Sequence, residues 1–405
     1  MLTAYNENGN FISLAGDMSP QLIRSTLQNQ NFYCPICKER VILKVGEIRI
    51  PHFSHLKFSN CSSSVSEPES HQHLQGKKQL FTFFKSKVKS VYLEVYLPTI
   101  KQRPDIFIKQ ENHSYAIEFQ CSPISRDIIR KRTNGYLSAG IIPIWIIGGL
   151  PFQQQYSKNV FRLSDFQWSF VKQRGNSGLS SISYDPSDEM FHYLTGITSL
   201  TSRKIAASYQ VQSLNGNSYT RNVFHPKSLN VKRWIQEKNN WLQTKVYYGN
   251  LKSDPFLKNV YIHKHHPFHL PPIIGIPTLY KEYFHSHPVE WQFYTYLDSL
   301  KNIKIGQTFS LQYVHHKLAN RIRSGHIIAR DLPLEKEQKW KEALAEYIQV
   351  LSKLEYFDRK GIDLFEKKRN ILIPQTMEQL QKQEESLYRN ISFGHTSYRR
   401  DNSYN

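Results

Sequence analysis

Two short strand-like runs, the second of alternating apolar and polar residues, constrain the fold more than any other part of the chain. In the second run, 114–120, Glu118 and Gln120 lie on one face of the predicted strand, because successive side chains of a strand point to opposite faces. If the first run, 104–108, pairs with this strand, Asp105 lies beside Glu118. The pattern therefore predicts two neighbouring strands that carry a pair of carboxylates and an amide.

Carboxylates held close together repel each other unless a cation or a proton offsets their charge. Mg²⁺, or Mn²⁺ in its place, is a hard cation that proteins hold with one or two carboxylates, water and substrate phosphate. Such a site supports hydrolysis of a phosphodiester by a metal-activated water. The pattern leaves a second interpretation open, in which Asp105 begins a turn and both Glu118 and Gln120 lie on a solvated face.

A helix predicted at 69–89 supplies further polar groups. Glu69, His73 and Lys77 are spaced four residues apart and fall on the same side of the helix as its apolar stripe. Glu69 could join the metal-binding carboxylates, and His73 or Lys77 could contact phosphate. The alternative is a solvated first turn that precedes the apolar stripe.

Other predicted elements surround the two carboxylate strands. An alternating strand at 91–97 precedes them, and a basic helix at 124–137 follows. The wholly apolar run 141–147 is typical of a strand covered on both faces. The order helix, three strands, helix, strand predicts an α/β fold for this region.

The N-terminal region carries a pattern of cysteine and histidine that predicts a structural zinc site. Cys34 and Cys37 form a two-residue-spaced knuckle, and His52, His55 and Cys61 follow. The favoured zinc ligands are Cys34, Cys37, His55 and Cys61, which match a closed tetrahedral site. Two alternatives remain: His52 replaces His55, or both histidines bind and Cys61 is free. The Cys-x-x-Cys pair could also be a simple turn.

The charge balance of the chain predicts a polyanionic partner. It carries 53 Lys and Arg against 33 Asp and Glu, a net charge of +20. A chain this basic most often binds nucleic acid, with an anionic membrane surface as the alternative. Aromatic residues make up 13% of the sequence, and aromatic faces among basic residues suit stacking on unpaired bases.

Cysteine usage and hydropathy bear on the compartment. The chain has four cysteines, no secretory leader pattern at its start, and no apolar run of about 18 residues. We therefore expect no membrane span and a cytoplasmic, reducing location, in which cysteines serve as metal ligands rather than disulfides.

Changes in composition divide the chain into five predicted parts. These are a hairpin with the zinc-binding module (1–62), the α/β domain (63–165), a loop-rich connector (166–225), a mainly helical domain (226–385) and a flexible tail (386–405). The connector is predicted from runs rich in Ser, Gln and Asn, which are typical of loops with short strands at best. It is expected to be either poorly packed or a small β elaboration of the α/β domain.

The C-terminal domain has the outline of a winged helix, three helices followed by a hairpin, and such a domain would suit DNA binding. It also contains the segment 261–269, which is dense in histidine. Because no cysteine or paired carboxylate accompanies these histidines, we expect them in a loop near phosphate or solvent rather than at a metal.

The order of elements, together with the acidic residues, resembles a known group of enzymes. A helix Glu (Glu69), a strand Asp (Asp105) and the pattern Glu118-x-Gln120 on the next strand resemble the PD-(D/E)xK nuclease superfamily. This resemblance implies a restriction-endonuclease-like α-β-β-β-α-β core for residues 63–165.

A more specific resemblance rests on several motifs taken together. The chain resembles the competence protein CoiA family of Gram-positive bacteria in the following motifs: Cys34-x-x-Cys37, the run 52–55, the set Glu69, His73 and Lys77, and Tyr136 beyond Arg132. The resemblance covers residues 1–165 well and the remainder loosely.

The superfamily pattern implies roles for individual residues. Asp105 and Glu118 would ligate Mg²⁺ or Mn²⁺, and Glu69 would be a third acidic group near the metal. The implied catalytic residues are Glu69, His73, Lys77, Asp105, Glu118 and Gln120. Arg132 and Tyr136 would contact the substrate.

Gln120 departs from the commonest superfamily pattern, which has Lys at this position. A Gln can orient a water through hydrogen bonds but brings no positive charge. Lys77 or Arg132 could supply that charge. The resemblance therefore implies metal binding more directly than it implies cleavage of DNA.

The resemblance implies a Mg²⁺-dependent deoxyribonuclease that supports processing and recombination of incoming DNA during competence for transformation. Its DNA would be single-stranded or branched, and recombination proteins would be candidate partners. The alternative is a catalytically inactive, DNA-binding recombination accessory protein. A third hypothesis, a basic regulator, would leave the carboxylate cluster unexplained.

Overall fold

Three β-sheets organise the computed structural model of the chain. The structure describes residues 1–16, 18–46, 49–56, 61, 69–149, 152–154, 159–175, 178–216, 231–335 and 339–389. Within these residues there is a five-stranded sheet, a ten-stranded sheet and a three-stranded sheet.

The first sheet is antiparallel and belongs to the N-terminal module. Its elements in chain order are β1 (Thr3–Asn6), β2 (Phe11–Ser13), α1 (Pro20–Leu27), β3 (Phe32–Tyr33), β4 (Arg40–Lys44) and β5 (His52–His55). The strands lie in the order β2-β1-β3-β4-β5. β1 and β2 form the predicted N-terminal hairpin, and the Asn6 side chain accepts hydrogen bonds from the backbone N–H groups of Asn8 and Asn10 in its turn.

The second sheet begins with the strands that carry the carboxylates. The elements here are α2 (His71–Lys87), β6 (Val91–Leu93), β7 (Ile106–Lys109), β8 (Ser114–Gln120), α3 (Arg126–Ser138) and β9 (Ile141–Gly148). β7 pairs antiparallel with β8, and Ile106 lies opposite Ile117. The backbones of Asp105 and Glu118 are therefore neighbours, as the alternating pattern predicted. β9 then adds to β8 in parallel.

The strand predicted at 91–97 is shorter than expected and ends at Leu93. Glu94 has a φ of 49°, in the left-handed region, which a continuing strand does not use. The alternating pattern could not reveal this because it continues past Glu94 without a glycine or a proline.

The described residues of 166–225 form a β elaboration of the α/β domain, one of the two predicted alternatives, with longer strands than expected rather than a loop-rich connector. The elements after β9 are β10 (Gln153–Gln154), β11 (Val160–Arg162), α4 (Asp165–Trp168), β12 (Lys172–Gln173), β13 (Leu179–Asp185), β14 (Met190–Ser199) and β15 (Lys204–Ser213). β13 joins β9 in parallel, and β14 and β15 extend the sheet. β13 was hard to predict because it is rich in serine. Ser180, Ser181 and Ser183 are nevertheless buried in this strand, since strand preference depends on packing more than on residue type. Residues 217–225 lie outside the described residues.

The C-terminal region is mainly helical, as expected. Its elements are α5 (Val231–Tyr248), α6 (Pro255–Ile262), α7 (Pro288–Thr295), β16 (Thr308–Ser310), α8 (Leu311–Arg323), α9 (Trp340–Lys353), β17 (Phe357–Arg359), β18 (Leu364–Lys367) and α10 (Met377–Arg389). The three strands lie in the order β16-β18-β17. From α7 onward, this order is consistent with the winged-helix-like expectation, whose DNA-binding role stays a prediction. Most of the predicted tail, 390–405, lies outside the described residues.

One buried cluster joins the N-terminal module to the second sheet. It includes Met1 and Phe53 of the module, Leu74 of α2, and Ile117 and Phe119 of β8. The module is therefore packed against the carboxylate strands. None of the helices in the described stretches combines the length and the apolar character needed to cross a membrane.

Candidate metal centre and nuclease-like site

Four side chains of the N-terminal module converge into a Cys₃His cluster. Cys34 and Cys37 flank the turn after β3, His55 ends β5, and Cys61 follows. Their ligand atoms all lie within 4.8 Å of one another. The Sγ atoms of Cys34 and Cys61 are 3.9 Å apart, and Cys37 Sγ lies 3.5 Å from His55 Nε2.

This donor set fits one zinc ion. Ligands of a tetrahedral zinc with bonds of about 2.0–2.3 Å lie about 3.3–3.8 Å apart, close to both distances in the cluster. Burial raises the pKa of the Cys37 thiol to about 12. A bound cation would therefore be needed to stabilise its thiolate near neutral pH.

His52, the alternative ligand, points elsewhere. Its Nδ1 lies 2.9 Å from the backbone oxygen of Ile50, and the residue is buried. Among the described residues, the structure groups His55, not His52, with the three thiols.

A second cluster surrounds Lys77, whose side chain is completely buried on α2. Its Nζ lies 2.7 Å from Glu69 Oε1, 2.6 Å from Glu94 Oε1 and 3.4 Å from Asp105 Oδ1. Burial alone would lower the pKa of Lys77, but the three carboxylates outweigh it and hold that pKa above its usual value. Lys77 is therefore a permanent cation at neutral pH.

Glu69, His73 and Asp105 lie together on the outer side of this cluster. One ligand atom from each lies within 4.8 Å of the others. His73 Nε2 is 3.4 Å from Asp105 Oδ2, which also accepts a hydrogen bond of 2.9 Å from the backbone N–H of Phe119. Burial would raise the pKa of Asp105, but Lys77 and His73 outweigh it and lower that pKa. Asp105 is therefore ionised and available as a ligand.

Glu118 has different partners from Asp105. Its carboxylate accepts hydrogen bonds from Arg132 Nη2 and from the Tyr136 hydroxyl, both on α3. Burial raises the pKa of Glu118, and the nearby guanidinium only partly offsets this effect. The structure thus brings Glu118 together with Arg132 and Tyr136. Glu118 is not part of the group of Glu69, His73 and Asp105 whose ligand atoms could hold a metal ion.

Gln120 lies at the end of β8 and turns away from the carboxylates. Its Nε2 donates a hydrogen bond of 2.7 Å to the backbone oxygen of Ser122. Within the described part of the chain, this amide is not hydrogen-bonded to the Lys77 cluster, because its donor is used locally.

Sequence reasoning missed Glu94, which links the Lys77 cluster to the N-terminal module. Besides Lys77, its carboxylate accepts hydrogen bonds from the backbone N–H groups of Leu2 and Thr3 at 3.0 and 3.1 Å and from the Thr3 hydroxyl at 2.8 Å. The one signal was an acidic residue within the apolar run Val91–Leu97.

Comparisons with known proteins match most of the chain to one family. Three family models match consecutive parts: "Competence protein CoiA, N-terminal domain" (17–64), "Competence protein CoiA, nuclease-like domain" (69–228) and "Competence protein CoiA, C-terminal domain" (229–380). The competence protein CoiA of Bacillus subtilis (strain 168) is 32% identical over 275 residues, which cover 67% of this chain and 72% of the relative. No solved structure matches the chain. The chain therefore belongs to the competence protein CoiA family, and its second domain is nuclease-like.

Proposed function

We propose that this protein is a metal-dependent DNA nuclease that processes incoming DNA during competence for transformation. The observation that carries the proposal is the buried cation Lys77 among Glu69, Glu94 and Asp105, with His73 at the outer edge. A protein retains so costly a group of buried charges most often at a functional site. The family's nuclease-like domain supports the same reading.

Glu69, His73 and Asp105 are the residues that would hold a divalent ion. Their two carboxylates are hard oxygen ligands, which suit Mg²⁺, and the added imidazole suits Mn²⁺ as well. When bound, the ion would lower the pKa of a water and offset phosphate charge. For Glu118 to ligate the same ion, as the sequence predicts, it would have to release Arg132.

Lys77 would supply the positive charge that Gln120 lacks. Its ammonium lies in the same cluster as Asp105, and Glu94 holds it from the buried side. Because Lys77 has no exposed surface, it would act on the negative charge that develops in the transition state through its electrostatic field rather than by contact with the phosphate. Catalysis would then depend on Lys77 as an electrostatic stabiliser rather than as a base, because its pKa is held high.

Arg132 would contact the DNA backbone. About a third of its side chain is exposed, while its guanidinium is held by Glu118 and the backbone oxygen of Arg103. A guanidinium fixed in this way is preorganised for a phosphate oxygen. The zinc cluster, in contrast, would be structural and would stabilise the module that packs against Glu94.

One observation favours a second candidate, a DNA-binding recombination accessory that does not cut. Lys77 already neutralises Glu69 and Asp105, Arg132 neutralises Glu118, and Gln120 bonds to its own loop. A cluster whose charges are internally satisfied can persist without a metal.

Cleavage of labelled DNA by the purified full-length protein separates the two candidates. Single-stranded, double-stranded and branched substrates would be incubated with Mg²⁺ or Mn²⁺, using wild type, Asp105→Asn and the exposed-site control Asp127→Asn. We expect cleavage by wild type and the control, and at least a hundredfold loss in Asp105→Asn. DNA binding without metal-dependent cleavage in wild type would instead support the accessory role.

A further inference from the structure

An exposed surface of the C-terminal domain combines aromatic and basic side chains. It lies where α5 ends and α6 begins and continues into the histidine-dense segment. Tyr247 is 71% exposed, Tyr248 86% and Tyr261 43%. Lys252, Lys258 and Lys264 are exposed beside them. We call these six residues the tyrosine–lysine surface.

The elements that carry these side chains pack against one another. The end of α5 packs closely on α6, since a Cβ on Gly249 would lie 3.2 Å from a side-chain carbon of Leu257. The ring of Tyr247 lies 6.3 Å from that of Phe268 in the histidine-dense segment. Lys264 is tied to α6 by a hydrogen bond of 3.0 Å from its N–H to the backbone oxygen of Tyr261.

The charge of this surface is of one sign. In the sequence between positions 243 and 269, Asp254 is the one acidic residue. It forms an ion pair with Lys245 at 2.6 Å, and it is also the N-cap of α6. The acidic residues of neighbouring elements are also paired: Glu290 with Lys245 and Asp298 with Arg321. The lysines of the surface therefore face no competing exposed carboxylate from these elements.

We propose that the tyrosine–lysine surface binds single-stranded DNA, at a place distinct from the Lys77 cluster. Exposed tyrosine rings gain most from a partner that offers flat aromatic faces, and lysines gain from phosphates. Unpaired bases offer such faces, whereas a duplex hides them in its stack. The choice of DNA over RNA rests on the proposed function.

Binding of a fluorescently labelled thymidine oligonucleotide, measured by anisotropy without added Mg²⁺, tests the aromatic part. Stacking contributes about 1–3 kcal/mol per base, so removing two rings with Tyr247→Ala/Tyr248→Ala should raise the Kd at least about tenfold. The conservative Tyr247→Phe/Tyr248→Phe variant should bind within about threefold of wild type. Tyr92→Ala, which removes another partly exposed tyrosine, is the matched control and should bind normally.

The salt dependence of the same binding tests the basic part. Each lysine–phosphate contact on a single strand contributes about 0.7 to the slope of log K against log salt concentration. Lys252→Gln/Lys258→Gln/Lys264→Gln should therefore reduce the slope by about 2. The control Lys304→Gln/Lys353→Gln/Lys382→Gln makes the same change in net charge on exposed residues elsewhere in the domain and should leave the slope nearly unchanged.

Several results would overturn the proposal. Normal binding by both the tyrosine and the lysine variant would show that the strand lies elsewhere. Equal losses for an oligonucleotide and its duplex would rule out stacking on unpaired bases, and tighter binding of the RNA strand would rule out DNA as the partner. Failure of wild type to bind any oligonucleotide would leave a protein partner as the explanation of the exposed tyrosines. Because cleavage is not measured here, an inactive nuclease site does not affect the outcome.

Discussion

Lys77 sets the charge balance of the candidate nuclease site. Its ammonium is the shared partner of Glu69, Glu94 and Asp105, and its side chain has no exposed surface. Removing one partner of a buried ionic cluster leaves the other charges uncompensated, which costs more than the cluster itself contributes. The stability of this region and the ionisation of its carboxylates therefore depend on one side chain.

Replacement of Lys77 should accordingly destabilise the protein. For Lys77→Met we expect a loss of about 3–5 kcal/mol in the free energy of unfolding, measured by denaturant titration of the transition that includes α2. Lys87→Met changes an exposed lysine of the same helix and should cost less than about 0.5 kcal/mol. Equal stability of the two variants would contradict a buried ionic role for Lys77.

Asp105 should make stability depend on pH in the acidic range. Because its pKa is lowered in the folded protein, its ionised form stabilises the fold above the ordinary aspartate pKa near 4. That contribution is lost as pH falls from about 4 through the lower folded-state pKa. The difference in melting temperature between wild type and Asp105→Asn should therefore be largest near neutral pH and shrink below pH 4. A difference that grows on acidification would contradict the assigned shift.

The sequence could predict contacts within one element and between two consecutive strands, but not how a helix packs on the sheet. His73 and Lys77 lie on α2, as helical periodicity predicts. Glu69 precedes the N-cap Ser70, so the helix begins two residues later than predicted, yet Glu69 still contacts both side chains. The pairing of Glu118 with Arg132 depends on how α3 packs on the sheet, which no local pattern specifies.

At the scale of elements, α2 lies unusually close to the sheet at Gly76. A Cβ added there would lie 2.2 Å from a ring carbon of Phe119 on β8 and 2.9 Å from a carbon of Pro186. The absence of a side chain at Gly76 therefore allows the neighbouring Lys77 to reach the carboxylates beside β7.

Gly76→Ala should displace α2 and disturb the site. We expect a loss of stability of about 1–3 kcal/mol from overpacking, despite the higher helix propensity of alanine, together with reduced nuclease activity. Gly46→Ala, where no atom lies within 4 Å of the added Cβ, is the matched control. Thermal unfolding and cleavage of both variants check this, and a stabilised, active Gly76→Ala protein would show that α2 does not need this close approach.

The zinc cluster is the second feature at this scale. Cys34→Ser should release zinc and lower the melting temperature of the N-terminal module, because a small module with little core of its own depends on its metal. Elemental analysis of the purified protein measures the metal directly. Cys121→Ser is the control, since Cys121 is outside the cluster. Unchanged zinc content in Cys34→Ser would refute the site.

Elements with strong periodicity could be predicted, and elements with weak periodicity could not. The apolar run at 141–147 and the basic helix at 124–137 correspond to β9 and α3. The length and bounds of strands β13 to β15 were missed, although a β elaboration was one predicted alternative, because serine and threonine interrupt their apolar pattern. The end of β6 was missed because a left-handed glutamate leaves no signal in the sequence.

On the scale of the whole molecule, the N-terminal module and the nuclease-like domain share both a core and a charge cluster. Met1 and Phe53 pack with residues of α2 and β8, and Glu94 bonds to the backbone of β1. Loss of zinc should therefore affect the Lys77 cluster as well as the module. The tyrosine–lysine surface, in the C-terminal domain, is a separate part of the molecule.

Metal binding by the intact protein tests the central claim that Glu69, His73 and Asp105 form the cation site. Mn²⁺ binding to the zinc-loaded protein would be measured by calorimetry or by electron paramagnetic resonance for wild type, Asp105→Asn and Glu118→Gln. We expect one Mn²⁺ site in wild type, its loss in Asp105→Asn, and its retention in Glu118→Gln, because Glu118 is paired with Arg132. Retention of Mn²⁺ by Asp105→Asn, or its absence from wild type, would contradict the account.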